Sequence, residues 1–506
     1  MQGRRDEQTT FSDALWINRI PEGSYWSRMR QYLERIDDLA FSSLFSRVGR
    51  PSVSPVRTFG ALLIQLEKGW SDREFEEESR FDERCKYALG VSRDFPGIDA
   101  VTLCDHRARF MQSDVVFALF ADLLAQAKEK GLISEDKLQI VDSFMVGGAG
   151  AVQDTYTLLR KGIVRLLRVA EFHELRSKLE PVLSRQDYAT DAKPKINWDD
   201  PEEKRRLLES YVIDARNLVV AARASRPLPK DLSDASDLLE RIANQDVDDS
   251  DGQIKMKKGV AKDRVISVTD PDMRHGRKTS SAKANGFKAH ISTDGSFVTS
   301  VVVTAANRPD AEPLPEVLKQ CEANGVKPEQ VMGDSAYCNW PTKESMALDG
   351  IELVAKVPSE ARVDGKYPKS MFDTDTRAGV VRCPEGSEAR FDPSAIESRK
   401  GTVVCFSDCA ACPARNECTQ ARTGRTISIH PYEPEIATER KKQATTKFKE
   451  FYAQRSVGER SISHLTRHGA RHARYIGVFK VWFQEVLAAL NFNVKAFARL
   501  SAATTG

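Results

Sequence analysis

No run of 18 or more apolar residues occurs in this chain of 506 residues, so no helical membrane span is expected. No apolar stretch follows the arginines of the opening MQGRRDEQTT, so no secretory leader is read there and a cytoplasmic location is expected. Net charge is nearly lacking: 76 Lys and Arg stand against 73 Asp and Glu, leaving +3. That excludes a uniformly basic, histone-like protein. Cysteine is scarce and odd in number, nine in all. Without a leader, this argues against a disulfide framework and for metal binding or plain burial. Internal repeats and low-complexity stretches are also missing. What remains is globular composition, 41% hydrophobic and 29% charged, over a length that suggests three or four domains.

Near neutrality conceals strong segregation of charge. Residues 231–251 carry eight acids against the single base Arg241, a pattern expected of a solvated loop or helix face. Residues 252–288 reverse it, with ten Lys or Arg against three Asp. Lys255, Lys257, Lys258, Arg274, Arg277 and Lys278 there are candidates to track a polyanion, with a solvated loop as the plainer reading. Residues 440–480 hold eleven Lys or Arg, three His and only Glu450 and Glu459. A basic block of that kind favours a polyanion partner.

The first 135 residues read as helices. Phe59, Leu62, Leu63 and Leu66 make an i, i+3, i+4, i+7 stripe stopped at Gly69. Ser71 and Glu74 have capping-box spacing, and Thr102 with Asp105 is read as a weaker box opening one helix through Phe110 to Ala127. Short helices about a glycine turn allow a helix-turn-helix, or simply a bundle. At Leu138 the texture changes: Leu138–Asp142 is an apolar run ending in a carboxylate and reads as a buried strand. Residues 150–245 return to helical patterning. Residues 286–293 and 297–305, joined by Asp294-Gly295, read as a hairpin. A helix is expected over 312–324, and Gln330–Asp334 is a second short strand ending in Asp. The mixture is α/β, with a helical segment inserted.

Carboxylates at strand ends can converge on one point of a sheet. Their hard oxygens suit Mg²⁺ or Mn²⁺, and two such ions about 4 Å apart activate water and stabilise the leaving oxygen of a phosphodiester. Each Asp alone is more commonly a turn or cap residue. Tyr452, Arg455 and Glu459 fall at i, i+3, i+7, near one helix face. A single continuing helix would carry Arg460, His464, Arg467, Arg471 and Arg474 as a basic stripe. Ile462, Leu465, Ala473 and Ile476 would form its docking stripe. A surface helix with an ordinary Arg455–Glu459 pair reads the same spacing equally well.

These residues carry a resemblance. Val141-Asp142, Gly333-Asp334-Ser-Ala-Tyr337 and Tyr452-x₂-Arg455-x₃-Glu459 resemble the three acidic motifs of DDE transposases from bacterial insertion sequences. Pro51–Phe59, Trp70–Arg73 and Asp99–Phe110 resemble the N-terminal domain of these enzymes. Thr269–Asp272, Gly286–His290 and Thr304–Asp310 resemble the core before the second acid; Arg471-x₂-Arg474-Tyr-Ile-Gly477 and Asn491 resemble the segment after the glutamate. The likeness is nearest the insertion-sequence eleven-eighty-two group and covers residues 45–145 and 265–495. It implies an RNase H-like mixed-sheet core in which Asp142, Asp334 and Glu459 hold two Mg²⁺ (or Mn²⁺) ions. It further implies cleavage at terminal inverted repeats, strand transfer of the freed 3′-hydroxyl into target DNA, and a homodimer on double-stranded DNA. A bacterial, nucleoid-associated protein with no membrane partner is expected. Tyr452, Arg455, Arg460, Arg467, Arg471 and Arg474 would bind DNA. Two departures stand out: Thr466 occupies the place where many relatives have Lys, with Arg467 as its substitute, and Ser143 follows Asp142 where Gly is usual.

Cys405-x₃-Cys409-x₂-Cys412-x₅-Cys418, with Cys383 upstream, offers five candidate thiolates for one structural Zn²⁺ in an insert expected to lack a core of its own. Cys85, Cys104, Cys321 and Cys338 read as packed. His290 reads as a satisfied sheet histidine, and Trp340 either as a base-stacking or a core residue. The expected organisation is a helical DNA-binding domain over 1–135, core over 136–149, a helical charged insert over 150–262, core over 263–375, a cysteine-rich insert over 376–430, and a C-terminal helical part over 431–506. Two other readings share these residues: a metal-dependent nuclease without strand transfer, and a non-catalytic zinc-containing DNA-binding protein.

Overall fold

The computed structural model describes residues 1–3, 19–133, 138–190, 192–277, 283–358, 360 and 365–505. The expected boundary at 135/136 and Lys278 lie outside them. The chain divides into two compact units, one of residues 1–135, 143–327 and 460–506, the other of 136–142 and 328–459. The strand β1 (Leu138–Gly147) passes from one to the other.

In the first unit the helix Pro55–Lys68 buries Phe59, Leu62, Leu63 and Leu66 and ends at Gly69. The capping box forms: Glu74 N–H donates to Ser71 Oγ at 3.2 Å and Ser71 N–H to Glu74 Oε2 at 2.6 Å. The box expected at Thr102 does not. Asp99 caps instead, accepting from Thr102 N–H at 2.8 Å and from its hydroxyl at 2.6 Å; a carboxylate is the stronger acceptor for the exposed N–H groups. The single helix expected to reach Ala127 is two, Ala100–Met111 and Val115–Glu129, bent by 74°. No single helix among the described residues is long and apolar enough to cross a membrane.

These helices share one apolar core with a sheet: Phe41, Phe59 and Phe110 belong to the same buried cluster as Phe287, Phe297 and Phe483. In the sheet β2 (Arg274–Arg277) and β4 (Val298–Ala305) both run antiparallel to β3 (Lys283–Thr293), which neighbours β1. β1 does not stop at Asp142 as expected. Phe144 and Val146 stay buried on alternate positions, so the strand remains extended to Gly147. The last helix, Val478–Thr505, clamps the layers together. Its Asn493 satisfies both backbone groups of Val298 at 2.8 Å, and its Asn491 donates to Leu63 O at 2.8 Å.

The helical insert has a second core of its own. Helices Thr155–Phe172, Pro201–Arg223 and Lys230–Gln245 bury Leu158, Leu166, Tyr211, Leu218 and Leu239 together. Most of the acidic run is a solvated face, with Asp237 and Glu240 pairing Arg223 and Asp234 pairing Lys230, but Asp246 is buried and pairs Arg264 at 2.7 Å.

In the second unit the first half of β1 runs parallel to β5 (Gln330–Gly333), and β5 parallel to β6 (Glu352–Ala355). Trp340 is a core residue, stacked on Tyr432 with centroids 5.7 Å apart. The cysteine-rich insert contains β7 (Asp373–Asp375), β8 (Val380–Arg382) and β9 (Glu388–Arg390), antiparallel, and the hairpin β10 (Thr402–Cys405) with β11 (Thr426–Ile429). Contrary to expectation it has a small core, built on Phe372, Val381, Ile396, Val404, Phe406, Ile427 and Ile429. Tyr367 packs on that core, ahead of the expected boundary at 376.

The C-terminal segment expected as one long helix is broken. Thr446–Tyr452 is one helix, Ala453–Arg455 a 3₁₀ turn, and Ser456–Arg467 a second helix. It ends where Ala470 N–H bonds Leu465 O at 3.2 Å around Gly469, which has φ +96°. A Cβ on Gly469 would come within 2.7 Å of Leu66 O and Cδ1, so only glycine fits. Arg471 and Arg474 therefore lie beyond the helix. Ile476 is exposed, and Ala473 instead donates to Gly147 O at 2.7 Å.

Candidate active site

Parallel pairing of β1 with β5 sets Ile140 opposite Met332. Asp142 and Asp334 each lie two residues further on, so one register carries both acids to the same level of the second unit. Asp334 leaves its strand and caps the turn Ser335–Tyr337, its Oδ1 accepting from Ala336 N–H at 2.8 Å. One carboxylate oxygen is thereby fixed by the backbone.

The helix Thr446–Tyr452, which leads into the one that carries the third acid, is held against the same strands. Phe448 and Tyr452 stack at 5.4 Å and pack with Ile140, Met332 and Val354. Tyr452 is buried, and its hydroxyl donates to Gly333 O at 2.9 Å, next to Asp334. Lys356 stands 4.6 Å from the Tyr452 ring centroid. Burial raises the Tyr452 phenol above its usual range; Asp334 and Asp142 add to this while Arg455 opposes it.

Arg455 joins the first acid to the third. Its Nη1 is 3.6 Å from Asp142 Oδ2 and its Nη2 bonds Glu459 Oε1. Burial works against the guanidinium charge, but Glu459 and Asp142 outweigh it and raise the Arg455 pKa. Asp142 has a side chain 14% exposed, whereas Glu459 is 57% exposed. Oxygen donors of this kind suit a hard divalent cation. No three His, Cys, Asp or Glu among the described residues stand at metal-coordinating spacing. The guanidinium lies between two of the acids and must swing aside for their oxygens to converge.

Gly458 is a position that sequence reasoning missed. A Cβ there would meet Ile140 Cγ2 at 2.9 Å and Asp142 Cβ at 3.7 Å. Its only sequence signal is its place directly before Glu459. Gly458→Ala is expected to force the helix off β1, because buried Ile140 has little room to yield. Any reaction that these acids support should fall about tenfold or more while the fold survives, measured as turnover beside a thermal melt; unchanged turnover would show the close approach to be dispensable.

The proposed DNA contacts are placed unevenly. Arg460 and Arg467 are exposed on the helix Ser456–Arg467, and Arg471 is exposed after it. Arg474 donates to the carbonyls of Gln65 and Trp70 within the first unit. His464 does not extend a cationic stripe at neutral pH, since burial takes its pKa down to about 4. Thr466 Oγ1 bonds back to Ile462 O at 2.9 Å, and Ser143 Oγ donates to Asp310 at 2.7 Å. Of the earlier basic residues, Lys255 pairs Asp251 and buried Arg274 pairs Asp263 at 2.8 Å. Arg277 lines an open cleft of about 580 Å³ with Lys262, Lys283 and Arg308.

Four of the five candidate cysteines converge. Cys383, Cys409, Cys412 and Cys418 line one small hollow of about 20 Å³ in the insert. Burial raises the Cys418 thiol; Arg425 opposes this, and Cys409, Cys383 and Cys412 add to it. Cys405 is exposed on β10, with its thiol donating to Thr423 O at 3.4 Å.

Residues 382–498 match the family described as Transposase DDE domain, a span that contains Glu459 and the five cysteines. Residues 15–109 match the family described as Transposase domain (DUF772), which spans the N-terminal helices. No curated protein and no solved structure matches the chain.

Proposed function

We propose that the chain is a DDE transposase of an insertion sequence, as the two transposase family matches support, and that it cuts DNA at terminal inverted repeats and joins the freed ends to target DNA. Transposases act on DNA, so a DNA-processing enzyme is the premise; the finer reading rests on one observation. The parallel register of β1 and β5 brings Asp142 and Asp334 to one level, and Arg455 bridges Asp142 to Glu459. The strand pattern supports an RNase H-like core: β4-β3-β1 in the first unit, with β3 and β4 antiparallel, and parallel β1-β5-β6 in the second.

Asp142, Asp334 and Glu459 would hold two Mg²⁺ (or Mn²⁺) ions, which supply activation of the attacking hydroxyl and charge stabilisation at the leaving oxygen. The remaining work falls to the chain. Asp334, with one oxygen fixed by Ala336, offers a carboxylate already oriented. Arg455, released from Asp142, would turn to the scissile phosphate, exchanging one anionic partner for another. Tyr452 is held by Gly333 and would keep the Asp334 turn in position. Arg460, Arg467 and Arg471 would neutralise phosphates, and a homodimer would hold two element ends. A structural Zn²⁺ in the cysteine-rich insert completes the reading.

The test is a duplex carrying the element's own flanking repeats, incubated with Mg²⁺, Mn²⁺ or a chelator. Metal-dependent nicking and joining is the expected result. Nicking without joining would make the protein a nuclease. Binding with no chemistry in any metal would replace the enzyme reading with a DNA-binding one.

A further inference from the structure

The cysteine-rich insert spans about sixty residues, from Tyr367 to Ile429, around a core cluster of only nine buried apolar or cysteine side chains. A segment of this size seldom closes on its apolar contacts alone and is commonly stapled. Its connections are mostly turns, so the staple has to act on turns. The four thiols at the hollow sit in or beside these connections: Cys383 and Cys412 in loops, Cys409 in a 3₁₀ turn and Cys418 at the end of a short helix.

We propose that Cys383, Cys409, Cys412 and Cys418 bind one tetrahedral Zn²⁺ that pins this insert, and that Cys405 takes no part. Cys383-Pro-Glu-Gly-Ser387 is a tight turn: Cys383 N–H bonds Ser387 O at 2.9 Å, and Ser387 N–H donates to Cys383 Sγ at 3.3 Å. Arg425 N–H likewise donates to Cys409 Sγ at 3.4 Å. Backbone N–H groups aimed at sulfur favour the thiolate and orient it, as outer partners of metal ligands do. Cys412 follows in the same loop, its N–H bonding Cys409 O at 3.4 Å, and Cys418 closes a short helix.

Charge agrees with this assignment. Four thiolates and one Zn²⁺ sum to −2, and two guanidinium groups stand beside them. Arg415 donates to Cys409 O at 2.9 Å and Arg425 to Cys418 O at 3.1 Å. The thiols must draw inward to ligate, since no three among the described residues stand at coordinating spacing. A hollow of about 20 Å³, close to the room one water needs, is small enough for that movement to be local. Binding releases the thiol protons to solvent. Cys405 is exposed and does not line the hollow, its thiol donating instead to Thr423 O at 3.4 Å.

The experiment is metal analysis of the full-length protein purified without chelator. About one zinc per chain is expected, kept in Cys405→Ser and reduced at least about tenfold in Cys412→Ser. Co²⁺ in place of Zn²⁺ should give the absorption of a tetrahedral thiolate site. Should Cys412→Ser fail to fold, alkylation of the wild-type protein with and without Zn²⁺ decides instead. Zn²⁺ should protect Cys383, Cys409, Cys412 and Cys418 and leave Cys405 reactive. No bound metal with reduced thiols, or equal zinc loss in Cys405→Ser, would overturn the assignment. The site is independent of the catalytic reading: Asp334→Asn should keep its zinc whatever happens to DNA cleavage.

Discussion

Replacing Asp142 by Asn is expected to lower DNA cleavage and joining by at least about 10³-fold while leaving DNA binding unchanged. The substitution keeps size and removes charge, so the packing of β1 should not change. It removes an anionic oxygen from the proposed metal-holding group and also releases Arg455, whose Nη1 lies 3.6 Å from that carboxylate. Glu459→Gln should be as severe, because the proposed reaction needs all three acids. The double variant Asp142→Asn/Glu459→Gln should therefore be little worse than either alone. Arg455→Ala leaves all three acids in place and should cost less, about 10–10²-fold. The measurement is single-turnover cleavage of a repeat-bearing duplex, with binding followed separately. Activity of Asp142→Asn within threefold of the wild type, roughly 0.7 kcal/mol, would remove Asp142 from the catalytic group.

Acidification from pH 7 to 4.5 is expected to destabilise the first unit well before most carboxylates titrate. Burial holds His106, His290 and His464 at about 4, against an ordinary value of 6.5. His106 shares a 2.7 Å hydrogen bond with Thr58 Oγ1, and His290 lies in β3 beside Thr304 Oγ1 at 3.0 Å. His464 meets the Phe492 ring edge-on. These are depressed values, so between pH 6.5 and 4 the unfolded chain binds protons that the folded chain refuses. Stability is complete above 6.5 and drains as pH falls toward 4. His290, the most enclosed, contributes up to about 3 kcal/mol, and the other two less because solvent reaches them. Urea midpoints at pH 7, 5.5 and 4.5 measure this. His290→Gln should flatten the profile, and a midpoint unchanged between pH 7 and 5 would contradict it.

Much of the local structure could be read from residue order. The stripe from Phe59 to Leu66, the Ser71–Glu74 cap and the Asp294-Gly295 hairpin form as read, because each is decided by neighbours within a few residues. Local reading failed at competing signals. Thr102 has the spacing of a cap, but Asp99 three residues earlier offers the stronger acceptor. The basic block looks like one helix until Gly469 turns left-handed against Leu66, a residue some four hundred positions away.

For the candidate site, sequence alone determined which carboxylates and thiols are available, their order, and the short strand and turn segments that carry them. Only the tertiary structure decided which of them meet. Asp142 and Asp334 become level through a parallel register between strands nearly two hundred residues apart, and Glu459 nears Asp142 because Gly458 lacks a side chain. Cys405 faces outward while Cys383, far upstream, joins the other three. Side-chain chemistry is a property of each residue, whereas proximity depends on closing long loops over a shared core, which spacing along the chain does not encode.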